Sequence, residues 1–94
     1  MLRVHSLNLT KEAYGFIRGL EAKQFKQVVG KILSLLSEPV SSDSSPLKGY
    51  DGVYRADIGE HRIVYRFDDK TVSVLVVDKR NDDEVYKKLA RKKL

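Results

Sequence analysis

The chain has no cysteine and no tryptophan, and it holds only two histidines and two prolines. Without cysteine there can be no disulfide, no thiolate metal site and no cysteine nucleophile. His5 and His61 stand far apart in the sequence, with no spacing that pairs them as ligands, so neither a resident metal nor another cofactor is expected. No apolar run approaches the ~18 residues that a membrane span requires. The opening Met1-Leu2-Arg3-Val4-His5 lacks the apolar core of a signal peptide. A cytoplasmic, soluble protein is the expectation. Its 94 residues make one domain's worth of chain. At ~0.05–0.15 kcal/mol per residue the stability of such a domain is about 5–14 kcal/mol.

Positive charge is what the chain has in excess. Eighteen Lys and Arg against 13 Asp and Glu give a formal net charge of +5. Between Lys79 and Leu94 there are seven basic residues and three acids, so this short stretch carries four of those five charges. Such an asymmetry favours a polyanionic partner through long-range attraction. A solvated terminal helix has the same composition, and charge alone does not choose among RNA, DNA, an acidic protein and a membrane surface.

The periodicity changes along the chain. Leu2 to Leu7 reads as a short first strand, bracketed by Asn8 and Thr10. Thr10 is a fitting N-cap for a helix through about Leu20, with Ala13, Ile17 and Leu20 on one face and Gly19 weakening its end. A longer helix is predicted from Ala22 to Ser37. Its apolar stripe comprises Phe25, Val28, Val29, Ile32, Leu33, Leu35 and Leu36. Pro39 ends it, and residues 40–46 read as loop. From Val53 the period becomes two. Val53–Ile58 and His61–Phe67 are strands joined by a tight Gly59-Glu60 hairpin. Thr71–Val77 is the most apolar strand and is expected to be central. A last helix begins near Asp82 or Asp83 and runs to Leu94, with Val85, Tyr86, Leu89 and Ala90 inward. The expected class is α+β, of order β-α-α-β-β-β-α. It has an antiparallel-rich sheet, two N-terminal helices packed on one face, and a C-terminal helix.

Arginines punctuate the hairpin strands. If Tyr54, Ala56 and Ile58 meet the helices, then Arg55 and Asp57 project from the opposite face, together with Arg62 and Arg66 of the partner strand. Arg80 follows the third hairpin strand. Guanidiniums gathered around one concavity would clamp a phosphate, because their planar donors match its oxygens. The same residues would also suit the wet face of a sheet.

Leu47-Lys48-Gly49, Val53-Tyr54-Arg55, His61-Arg62-Ile63-Val64-Tyr65, Val76-Val77-Asp78-Lys79-Arg80 and Glu84-Val85-Tyr86 together resemble the RelE branch of the RelE/ParE superfamily of toxins from toxin–antitoxin pairs. The likeness runs from Leu47 to about Leu89, and the Lys-Arg with the later Val-Tyr is its more specific part. It implies one RelE-like toxin domain over residues 1–94. The implied activity is a metal-independent endoribonuclease that enters the ribosomal A site and cuts the messenger by attack of a ribose 2′-hydroxyl. Carried over by position, Arg62 would stabilise charge on the phosphoryl oxygens and Arg80 would face the leaving oxygen. Tyr86 would stack on or orient the nucleotide and assist proton removal. Lys48, Arg55, Lys79, Lys87, Lys88 and Arg91 would contact RNA, Arg55 in place of a family lysine.

The resemblance also implies a cognate antitoxin, acidic or bearing an amphipathic helix, that masks the basic face, so a toxin–antitoxin hetero-oligomer is expected. Two positions depart from the pattern. His61 stands where an aromatic is usual and faces away from Arg62, which suits a structural ring. Asp57 stands where a second basic residue is common, and it would either repel RNA or pair with Arg55 or Arg62. Tyr86 fits a packing role as well as a functional one. Three other readings stay open: a ParE-like inhibitor of DNA gyrase, a non-catalytic RNA-binding module, and a basic helix on anionic lipid.

Overall fold

The computed structural model of the protein describes residues 4–80 and 84–92, in the order β1 (Ser6–Leu9), α1 (Lys11–Arg18), α2 (Ala22–Ser37), β2 (Ser44–Pro46), β3 (Tyr54–Ile58), β4 (His61–Phe67), β5 (Thr71–Lys79) and α3 (Glu84–Ala90). The expected helix start at Asp82 or Asp83, its end at Leu94 and the strand start at Leu2 lie outside the described residues. The strands form one sheet in the order β1-β5-β4-β3-β2. Every neighbouring pair is antiparallel except β1 with β5. The α+β class is therefore as expected, with one more strand and with Thr71–Val77 inside the sheet. β4 occupies the middle, and β5 lies between it and β1.

Local chemistry sets each boundary. The Thr10 hydroxyl accepts from the Ala13 amide at 3.1 Å and caps α1, which ends at Arg18 with Gly19 as its C-cap. Among the described residues the first strand covers 6–9 and runs past its expected end at Leu7, because parallel pairing with β5 holds Ser6 opposite Thr71 and Leu9 opposite Val74. The serine-rich segment read as loop contains an edge strand instead. Ser44 to Pro46 pair with Ala56 to Tyr54, and an edge is where a proline is tolerated in a sheet. The β3–β4 turn needs its glycine for the backbone. Gly59 has φ of 58°, whereas the end of the Gln27 side chain, 2.7 Å from where a Cβ would stand, can swing aside.

Two apolar cores share this sheet. On one face Ala13 and Ile17 of α1 and Val28, Ile32, Leu35 and Leu36 of α2 pack against Ala56, Ile63, Tyr65, Val72, Val74 and Val77. The stripe expected on α2 was too wide. Leu33 is 57% exposed and Phe25 41%, because they lie with Val29 on the adjacent i, i+4, i+8 ridge. On the other face Val85 and Leu89 of α3 pack against Leu47, Val53, Val64, Leu75 and Val76, with Tyr50 and Tyr86 at the margin. Ala90, expected inward, is exposed, one position around the helix from Leu89.

A β-bulge reconciles the two cores. Val64 pairs with Val76 and Tyr65 with Val74, so Leu75 is an extra residue in β5. Leu75 and Val76 consequently both face α3, whereas Val74 and Val77 face α1 and α2. The Leu75 carbonyl accepts from the Thr10 hydroxyl at 2.8 Å. Four consecutive apolar residues are buried in this way without breaking the sheet.

Two outcomes follow for stability. Leu89→Ala should lower it by about 2–3 kcal/mol in urea unfolding, and the α3 amides should lose exchange protection before those of β4 and β5. Tyr65 is fully buried, and its hydroxyl donates to the Pro39 carbonyl. Burial pushes its pKa up, so its contribution is complete below pH ~10 and is lost as pH rises through the raised value. Tyr65→Phe should flatten the alkaline limb of a pH–stability profile while costing about 1 kcal/mol at neutral pH through the lost hydrogen bond.

Candidate functional site

The face that carries α3 also carries a row of charge. In the sheet register Asp57 of β3 lies opposite Arg62 of β4, and Arg62 lies opposite Asp78 of β5. The bulge makes this row possible. With strict alternation from Val74, Asp78 would fall beneath α1 and α2. The extra residue returns it to the side of α3, where it is buried and ion-paired with Lys88. Arg62 Nε donates to Asp57 Oδ1 at 2.8 Å and Arg62 Nη2 to Oδ2 at 3.4 Å, a side-on bidentate contact. Arg55 Nη1 donates to the same Oδ2 at 3.2 Å.

The row is neither wet nor sealed. Side-chain exposure is 17% for Arg62, 23% for Asp57 and 34% for Arg55. The hydrogen bond that Arg62 donates to Asp57 is the main cause that raises the Arg62 pKa; burial opposes it, and the charge of Asp57 and the electrostatic influence of Tyr86 add to the rise. Arg62 is therefore a permanent cation, and Tyr86 stands within electrostatic reach of it. Tyr86 itself is half-buried at the edge of the second core.

Arg80 is brought to the same end of the sheet by its backbone. Its amide donates to the Glu60 carbonyl at 3.0 Å, two residues before Arg62. Its side chain is exposed. Lys48 is also exposed, in the turn between two residues of the second core, Leu47 and Tyr50. Lys79, Lys87, Arg91 and Arg66 are exposed as well. Lys88 is different from these. It is half-buried, bound to Asp78, and its Nζ lies 4.9 Å from the centroid of the Phe16 ring. Lys92, in the turn after α3, reaches Glu12 of α1 at 2.8 Å, a second tie between this end of the chain and the body.

His61 is buried on the opposite side of the sheet from Arg62, with its ring edge-on to Phe16 at 5.8 Å. Among the described residues no group of three His, Asp or Glu stands close enough to hold a metal ion. No helix among them is long and apolar enough to cross a membrane. Sequence reasoning gave no role to Asp78. Its place beside Arg62 depends on the bulge, for which a run of four apolar residues was the one available signal.

A family model for the ParE toxin of type II toxin–antitoxin systems matches residues 8–84. The chain belongs to that family of toxins, within the RelE/ParE superfamily. The toxin–antitoxin complex RelBE2 from Mycobacterium tuberculosis is similar at 29% identity and a TM-score of 0.71, over 87% of this chain and 98% of that one. The isolated E. coli RelE toxin is 26% identical, with a TM-score of 0.71 over 96% of this chain and 99% of its own. A mutant of the E. coli toxin in the free state has the same fold, with a TM-score of 0.79 at 24% identity over 97% and 99% of the two chains. No curated protein matches the sequence.

The charged row has a measurable consequence. Removing Lys88 leaves Asp78 buried, with the Lys79 amide at 2.7 Å as its one neutral donor among the described residues. Lys88→Met should therefore cost about 2 kcal/mol or more. Lys48→Met, at an exposed turn, should stay within about 0.5 kcal/mol of the parent in the same urea titration.

Proposed function

We propose that this toxin is an endoribonuclease that enters the ribosomal A site and cuts the bound messenger there without a metal ion. The observation that carries the reading is Arg62, a half-buried permanent cation held by the Asp57 carboxylate, with Tyr86 within electrostatic reach and Arg80 at the same end of the sheet. In the proposed reaction the 2′-oxygen of one nucleotide attacks the adjacent phosphorus as its proton is removed. The bond to the 5′-oxygen breaks, leaving a 2′,3′-cyclic phosphate and a 5′-hydroxyl. Catalysis of this kind depends on positioning and on stabilising charge that grows on the phosphoryl oxygens.

Arg62 supplies fixed donors to those oxygens, and Arg80 faces the leaving oxygen. Tyr86 orients the nucleotide by stacking and assists proton removal. Arg55, Lys48, Lys79, Lys87, Lys88 and Arg91 supply attraction to ribosomal and messenger RNA, Lys88 while held by Asp78. The partner in the cell is a cognate antitoxin. The complexes of RelE toxins with RelB antitoxins from M. tuberculosis and E. coli support this. The working compartment is the cytoplasm, where translating ribosomes are.

The match to a ParE model favours one second reading, inhibition of DNA gyrase on the same scaffold. Purified toxin added to messenger-programmed ribosomes separates the two. Under the nuclease reading it yields fragments ending in 2′,3′-cyclic phosphate. Arg62→Ala and Arg80→Ala each lower the maximal rate by ~10²-fold or more, the usual consequence of losing a transition-state donor. Intact messenger together with inhibited supercoiling by gyrase would favour the second reading.

A further inference from the structure

We infer that Asp57, at a strand position where a second basic residue would be expected, is a positioning residue that holds the Arg62 guanidinium in the orientation required to meet a phosphate. The inference rests on the nuclease reading and deepens it. A guanidinium carries five N–H donors in one plane. Asp57 takes the Nε–H and one Nη2–H through its two oxygens, at 2.8 and 3.4 Å. That occupies one edge of the plane and leaves both Nη1 donors and the outer Nη2 donor. The outer donors of Nη1 and Nη2 form the end-on fork, whose spacing matches two oxygens of a phosphate. An arginine on a flexible stem loses rotamer freedom when it binds, and Asp57 removes that freedom beforehand.

The surrounding charges make this role sustainable. Asp57 is shared with Arg55, so the carboxylate faces two guanidiniums. Asp78, on the other side of Arg62, is paired with Lys88. With Arg80 at the same end, the positive groups outnumber the two carboxylates, and a phosphate meets net attraction. Asp57 touches no reacting atom in this scheme. It acts through Arg62.

The test joins the nitrogen-15 spectrum of the arginine side chains to cleavage kinetics on messenger-programmed ribosomes, for the wild type, Asp57→Ala and Asp57→Asn. In the wild type the Arg62 Nε–H should give a resolved, slowly exchanging resonance. Asp57→Asn should keep it, because an amide oxygen still accepts from Nε, and Asp57→Ala should lose it. In parallel Asp57→Ala should lower kcat by about tenfold to a hundredfold, the usual effect of a misplaced catalytic group, with KM within about threefold. Asp57→Asn should recover most of the rate and leave the pH profile unchanged.

Asp57→Asn as inactive as Asp57→Ala would overturn the inference, since the carboxylate would then be needed to take a proton. Asp57→Ala cutting as fast as the wild type, or faster, would overturn it too, because Asp57 would then be a bystander or a brake. A wild type that shows the clamped resonance and cuts nothing would end the nuclease reading, and the positioning role with it. The resonance would place that failure in the activity and not in the clamp.

Discussion

One extra residue in β5 governs how this small sheet serves two sides. Leu75 interrupts the alternation between Val74 and Val76, and the strand buries four apolar residues in succession, two toward each core. Its carbonyl, displaced from the ladder, is taken up by the hydroxyl of Thr10, the same side chain that caps α1. The bulge therefore fixes the entry to the first helix, the floor beneath the last helix and the side on which Asp78 emerges. A one-residue change of register would exchange the faces of every residue beyond it.

From that placement comes the character of the charged row. Asp57, Arg62 and Asp78 sit on three adjacent strands, and Lys88 reaches Asp78 from α3. Charges withdrawn from water are costly unless each has a partner, and here Asp57 is met by Arg62 from the neighbouring strand and Asp78 by Lys88 from α3. The Lys88–Asp78 pair consequently ties the last helix to β5, the strand that pairs with the one holding Arg62. Docking of α3 through Val85 and Leu89 and the electrostatics around Arg62 are parts of one arrangement. A partner that displaced α3 would uncover Asp78 and change the field at Arg62 without touching the sheet itself.

Much of this was legible in the residues. The bounds of α2 and β4 follow from clean periods of 3.6 and 2, and Gly59 marks the hairpin between β3 and β4. Alternation also placed Arg55, Asp57 and Arg62 on one face and His61 on the other. What escaped has a common cause, because it depends on contacts distant in sequence. Ser44–Pro46 is a strand only because β3 offers it an edge. β5 is kept off the sheet's edge because β1 pairs in parallel along its outer side. Ala90 and Leu33 look inward by hydropathy, but the packed face of a helix is narrower than its apolar one. Asp78 has no partner within reach in sequence, and its ten-residue separation from Lys88 signals nothing until the bulge sets the face.

The fold and family place this chain among the toxins of type II toxin–antitoxin systems. The charged row supports a reading in which its target is RNA. Mapping messenger ends across the cell after brief induction, with plasmid topology followed in the same cultures, tests that claim most directly. The account predicts new ends inside translated reading frames, arising within minutes while supercoiling is maintained, and far fewer of them with Arg62→Ala. Growth arrest with intact messengers and relaxed plasmids would contradict it.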